Sequence, residues 1–110
     1  MLYLVETDAA VIADLTPEGL AGLAEESVIP GLETLTRLQA EKKILGGGCI
    51  AGQRAHAFIV EAASNEALSE LLHSLPLWAA HDWNVTPLES WEHHISFLRA
   101  MVEKLKAGSK

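Results

Sequence analysis

Apolar residues change period several times along this chain, and each change marks an element. Leu2 to Thr7 is aliphatic, β-branched and aromatic, is bounded by Asp8 and Ala9, and predicts a strand. Thr16-Pro17-Glu18 carries the signature of a helix start: a hydroxyl N-cap, proline in the first helical position and an acid in the first turn. Leu20, Leu23, Leu32, Leu35 and Leu38 then recur at helical spacing to about Lys43. Pro30-Gly31 interrupts that run; proline removes a ladder hydrogen bond and crowds the preceding turn, so a kink or two helices are expected there.

Ile44 to Ala51 reads as a weak strand whose Gly46-Gly47-Gly48 marks a bulge, a close approach or a cavity. After a turn at Gly52-Gln53, Arg54 to Ala62 is a stronger strand, with His56, Phe58 and Val60 on one face and Ala55, Ala57 and Ile59 on the other. Ser64 caps a short helix lined by Leu68, Leu71, Leu72 and Leu75, and Pro76 closes it. Asp82 to Leu88 is a last strand, with Trp83 and Val85 opposed to Asn84 and Thr86. Ser90 caps a final helix in which Trp91, Ile95, Leu98, Val102 and Leu105 form one stripe, with Gly108 at its end.

Strand, helix, strand, strand, helix, strand, plus an appended helix is the α+β, ferredoxin-like βαββαβ order. It makes the chain one domain over residues 1–110, with a core at 1–89 and a C-terminal helix at 90–108. Helices on one side leave the other sheet face bare, and the strand over 54–62 is apolar on both faces, so a second copy packed sheet to sheet is expected: a dimeric α+β barrel. The terminal stripe also lacks a place on the helical face, which two helices already fill. It is expected to cross the dimer and cover the partner's barrel opening, with Trp91 and Phe97 near the pocket mouth.

Composition narrows the function. The chain has 110 residues, 8 Lys plus Arg against 15 Asp plus Glu, and a net charge of −7. An acidic chain argues against nucleic acid and against a basic membrane-surface patch. With 49% hydrophobic and 21% charged residues, disorder is excluded as the organising state. No apolar run approaches the roughly 18 residues of a membrane span, and MLYLVETD has no basic leader region. The single cysteine, Cys49, forms no internal disulfide and fits a reducing compartment. A cytoplasmic location is the expectation.

Residues 74–88, SLPLWAAHDWNVTPL, carry a resemblance, together with Ser64-Asn65-Glu66 opening a Leu-rich helix, Gly52, Ala55 and the opening MLYLV. Leu75-Pro76-Leu77, Trp78, Asp82 and Val85-Thr86-Pro87-Leu88 fall in the order and spacing of the muconolactone isomerase family, which this chain resembles over most of residues 1–8 and 43–88. The resemblance implies a ferredoxin-like fold, a dimer or a ring of dimers, and proton transfer that moves a double bond within a small unsaturated lactone. It implies no metal and no organic cofactor. Members that perform the isomerisation carry a Trp-Arg-His-x-Trp-Arg type segment where this chain has Ile44-Leu45-Gly46-Gly47-Gly48-Cys49. The fold is therefore carried over and the substrate is not; muconolactone itself is expected to be a poor substrate.

Moving a double bond requires a group that accepts a proton near neutrality, and histidine is the natural candidate. His56, expected on the face toward the barrel interior, is either that group or a core histidine satisfied by a neighbour. His81 precedes Asp82, and adjacent strand residues point to opposite faces, so the two form no automatic dyad. Asp82 matches the family pattern and is read either as catalytic or as a loop-fixing acceptor. Gly46, Gly47 and Gly48 leave either room for a ligand or only a bulge. Phe58, Trp78 and Trp83 are candidate pocket walls, and large aromatics are equally core material. Arg54 could hold a substrate carboxylate, or pair with Glu61 or a second subunit. Cys49 reads as a buried, inert thiol rather than a nucleophile. His73 reads as structural or solvated. His93 and His94, about 100° apart on a helix, diverge and lack the i, i+4 spacing of a zinc pair.

These residues lead to an isomerase-like protein acting by His/Asp acid–base chemistry on a small unsaturated lactone, enone or related molecule. The alternatives are a non-catalytic small-molecule-binding or oligomerisation module on the same scaffold, and a cofactor-free oxygenase-type enzyme.

Overall fold

The computed structural model describes residues 1–9 and 16–108. In it, β1 (Leu2–Ala9) leads to α1 (Pro17–Leu23), a π-helical turn over Ala24–Val28, and α2 (Ile29–Ala40). The hairpin β2 (Ile44–Cys49) and β3 (Ala55–Glu61) follows, then α3 (Asn65–His73), a 3-10 turn at Trp78–Ala80, β4 (His81–Leu88) and α4 (Trp91–Gly108). The strands form one sheet in the order β2-β3-β1-β4, every neighbouring pair antiparallel. The ferredoxin-like α+β expectation holds.

Local chemistry accounts for the element ends. The Thr16 hydroxyl accepts from the Gly19 N–H at 3.0 Å and that of Ser64 from the Ala67 N–H at 3.1 Å, each satisfying a donor the helix cannot. The expected interruption at Pro30 is a π turn just before it, not a break. Lacking an N–H and crowding the carbonyl four residues back, proline widens the turn that precedes it. The helix stops at Ala40, short of Lys43, where Lys42 takes a left-handed φ of 64° and turns the chain into β2.

Alternation sorts the sheet faces. Tyr3, Val5 and Thr7 of β1 are buried beneath the helices, as are Phe58 and Val60 of β3. They meet Leu38 of α2, Leu68 and Leu72 of α3, and Leu75. In β2, Leu45 is an extra, unpaired residue: Ile44 faces Val60 while Gly46 faces Ile59. The strand also ends at Cys49, two residues before the expected limit. Gly47 needs its lack of a side chain, because its φ is +146° and an added Cβ would strike Ala57 and Phe58. Gly31 has a similar reason: an added Cβ would run into Leu77, which is fully buried.

Among the described residues, no helix covers the opposite sheet face. Leu2 and Leu4 of β1 with Ala57 and Ile59 of β3 make an apolar, half-buried end. Glu6, Asp8 and Asp82 crowd the other end, with Asp8 directly opposite Asp82. α4 stands away from the body, and every one of its residues is exposed. The radius of gyration is 19.2 Å and the longest dimension 72 Å, whereas a compact chain of this length has a radius of gyration near 13 Å.

Candidate active site

His56 sits in β3 with Thr7 opposite on β1 and Cys49 opposite on β2. It shares the helix-covered face with Phe58 and Val60, which corrects the expectation that it faces the barrel interior. Both faces of β3 are apolar, but His56, Phe58 and Val60 go beneath the helices, and two alanines with Ile59 go to the open side. His56 is 7% exposed, and its Nδ1 has no hydrogen-bond partner among the described residues. The Thr7 hydroxyl, 2% exposed and directly across the strand pair, has none either. Two buried, unpaired polar atoms side by side are costly in a folded core, at about 1–3 kcal/mol each, and such atoms cluster where a ligand completes them.

His81 opens β4 and is also buried. Its ring lies 5.5 Å from that of His56, reached over the end of β1. His81 Nδ1 is 3.0 Å from the Leu77 carbonyl. A carbonyl only accepts, so Nδ1 carries the proton and Nε2 keeps the lone pair. Gly31 lets α2 close over Leu77, so helix packing holds the residue whose carbonyl orients His81. Burial first, and the neighbouring His81 second, lower the His56 pKa, keeping that imidazole neutral and able to accept a proton at neutral pH.

A cavity of about 310 Å³ opens between α2 and the β2–β3 hairpin. His56, Phe58, Gly47, Gly48 and Cys49 wall its sheet side, and Thr36 and Gln39 supply polar groups from α2. That volume lies at the small end of ligand pockets.

The other residues singled out from the sequence are placed differently. Asp82 is exposed and on the open face, so the structure does not join it to the His56–His81 pair. Trp78 and Trp83 are stacked 5.2 Å apart, with Trp83 Nε1 donating to the Trp78 carbonyl at 3.1 Å. They line a second, more open hollow with Tyr3 and Asn65, away from His56. Arg54 lies in the exposed hairpin turn and lines neither cavity; Glu61 accepts instead from the N-terminal ammonium at 2.9 Å. Gly46, the first of the glycines, faces Ile59 and does not line the His56 cavity. Cys49 is exposed, correcting the expectation of a buried thiol. His93 and His94 do not simply diverge: both rings turn back to Glu89, at 3.5 and 2.6 Å. Among the described residues no group of three His, Cys, Asp or Glu gathers as a metal site. Nor is any described helix long and apolar enough to cross a membrane. Thr7 escapes a search for chemistry-bearing residues in the sequence, although its spacing from Tyr3 and Val5 in an alternating strand places it beneath the helices.

Known proteins give this arrangement a context. A family model described as muconolactone delta-isomerase matches residues 1–94. A solved muconolactone isomerase is 29% identical, with a TM-score of 0.66 over 82% of this chain and 90% of that one. A 5-chloro-2-hydroxyhydroquinone dehydrochlorinase from Burkholderia phenoliruptrix AC1100, solved with 2,5-dihydroxybenzoquinone, is 20% identical, with a TM-score of 0.60 over 84% of this chain and 98% of that one. At that identity it shares the fold. No curated protein sequence matches the chain.

Proposed function

The chain belongs to the muconolactone delta-isomerase family, and from that membership and the surroundings of His56 we propose that it moves a double bond within a small unsaturated lactone or enone by proton transfer. The observation that carries this reading is a buried imidazole with an unpartnered nitrogen on the wall of a small cavity. A hydrogen on carbon next to a conjugated carbonyl is weakly acidic, and its removal needs a base that is uncharged at working pH. His56 meets that need, because burial keeps it neutral.

The steps follow from the groups present. Neutral His56 removes a proton from the carbon whose C–H bond is aligned with the carbonyl system. The electron pair left behind delocalises onto the carbonyl oxygen as a dienolate. The Thr7 hydroxyl, unpartnered and directly across the strand pair from His56 but outside the cavity lining, is the next donor that a molecule reaching past His56 would meet. The imidazolium returns its proton to the other end of the delocalised system, which shifts the double bond. His81, with Nε2 as its acceptor, is the second group that can hold the proton in transit, 5.5 Å away ring to ring. Atoms and charge balance with no external reactant.

We further propose that the working form is a homodimer. Among the described residues nothing covers the apolar end of the open sheet face or the stripe along α4, and a second copy would supply that cover.

The test is a panel of unsaturated lactones, enones and phenols followed by the ultraviolet change that accompanies loss or gain of conjugation. Saturable turnover is expected, with His56→Gln lowering kcat about 100-fold or more while KM stays close to wild type. Saturable binding with no turnover across the panel would overturn catalysis in favour of a binding module.

A further inference from the structure

Cys49 has no part in the proton transfer above, yet its position is specific. The Ile50 N–H donates to the Ala55 carbonyl at 2.8 Å, making that couple a hydrogen-bonded pair of the hairpin. The next pair, Cys49 and His56, is therefore non-hydrogen-bonded, the register in which cross-strand side chains stand closest. Both line the same cavity. The thiol is on its exposed side and the imidazole, more than nine-tenths buried with Nδ1 unpartnered, is on its inner side.

We propose that Cys49 is a nucleophile of this cavity, adding to the β-carbon of α,β-unsaturated carbonyl compounds such as butenolides and cyclic enones, with His56 handling the proton. The inference shares the His56 cavity with the proposed function but does not need turnover. In the addition, the thiol proton passes to the neutral imidazole and the sulfur forms a bond to the β-carbon. The carbon–carbon π pair moves onto the carbonyl as an enolate, and the imidazolium then protonates the α-carbon. The product is a thioether with one fewer double bond, and no oxidant or reductant is consumed. The reverse elimination restores alkene and thiol, so the adduct is reversible unless the product is trapped. The exposure of Cys49 lets the electrophile enter from solvent, while Gly47 and Gly48 leave the sheet wall low enough for a five- or six-membered ring to reach the thiol.

The experiment is intact-protein mass spectrometry after incubation with 2(5H)-furanone or 2-cyclopentenone, with the urea-unfolded chain as the reference for an unassisted thiol. One added molecule of enone at Cys49 is expected, and none in Cys49→Ser. His56→Gln should slow enone addition by about two orders of magnitude, the usual worth of a positioned acid–base group. In urea, where the cavity is lost, both proteins should add the enone at the same rate. Enone addition at the rate of the unfolded chain, unchanged in His56→Gln, would overturn the proposal. Failure of the isomerase reading would look different: an adduct would still form, with no double-bond migration on any substrate. Conversely, a wild type that isomerises yet forms no adduct would refute the nucleophile and leave the proton transfer standing.

Discussion

Truncation after Ser90 removes α4, whose stripe of Trp91, Ile95, Leu98, Val102 and Leu105 is exposed along its length among the described residues. Trp91 is 84% exposed and Leu105 66%, with the others between 39% and 47%. Complete burial of such a side chain contributes roughly 1.5–3 kcal/mol. Scaled to the area still open, one helix docked on a second copy contributes about 5 kcal/mol, and the pair in a symmetric dimer about 10. Ordering the interface side chains offsets about half of that, leaving about 5 kcal/mol, or between three and four decades in the dimer dissociation constant. Sedimentation velocity of the full chain and of the truncated one across a dilution series reads this directly. The full chain should remain dimeric at concentrations where the truncated one is largely monomeric. Truncation should also raise the fluorescence of a hydrophobic dye such as ANS, because the surface that α4 covers becomes open. Equal association of the two proteins, with no added dye binding, would refute the inter-subunit role of α4.

Three further outcomes follow from the site and its supports. Thr7→Val removes a buried hydroxyl that has no partner, so thermal unfolding should show stability unchanged or raised by about 1 kcal/mol, while ligand affinity falls. Gly47→Ala places a side chain against Ala57 and Phe58 at a φ of +146° and should lower stability by about 2 kcal/mol or more in urea titration. The lowered His56 pKa means that, as pH falls through about 6.5, the unfolded chain takes up a proton that the folded one refuses. Stability should therefore decline from that point until the pH reaches the depressed folded value, and His56→Gln should flatten this part of the profile; an identical slope in the variant would rule out His56 as its source.

Much of the scaffold is legible in short-range chemistry. Thr16 and Ser64 cap as their positions demand, alternation groups His56, Phe58 and Val60 on one face, and the strand order follows from the element order. The site is harder to read. His56, Phe58 and Val60 alternate with Ala55, Ala57 and Ile59, and a strand apolar on both sides does not announce which face goes under the helices. Side-chain bulk decides it, since the gap beneath α2 and α3 needs Phe58 and Val60 to fill it. The His56–His81 approach spans three strands, so no local spacing records it, and the neighbouring Asp82 draws attention to the wrong side of the sheet. Cys49 reads as buried inside a strand expected to run to Ala51, whereas the strand ends at Cys49 and the thiol is exposed at the cavity. The Trp78–Trp83 stack and Arg54, both plausible pocket features in one dimension, are separated from His56 once the sheet is assembled. The apolar stripe of α4, by contrast, is legible from its spacing alone, and its stand-off from the body agrees with the absence of any vacant place in the layer formed by α2 and α3.

Proton transfer at carbon by His56 is the central claim, and solvent deuterium reports it whatever the natural substrate is. An unsaturated lactone that binds the protein is incubated in deuterated buffer, and its ring hydrogens are followed by proton NMR with wild type, His56→Gln and Thr7→Val. The account predicts catalysed loss of the signal from hydrogen next to the conjugated system in wild type and near-background exchange in His56→Gln. Thr7→Val should retain exchange at a reduced rate. Exchange at the wild-type rate in His56→Gln would contradict the claim that this imidazole is the base.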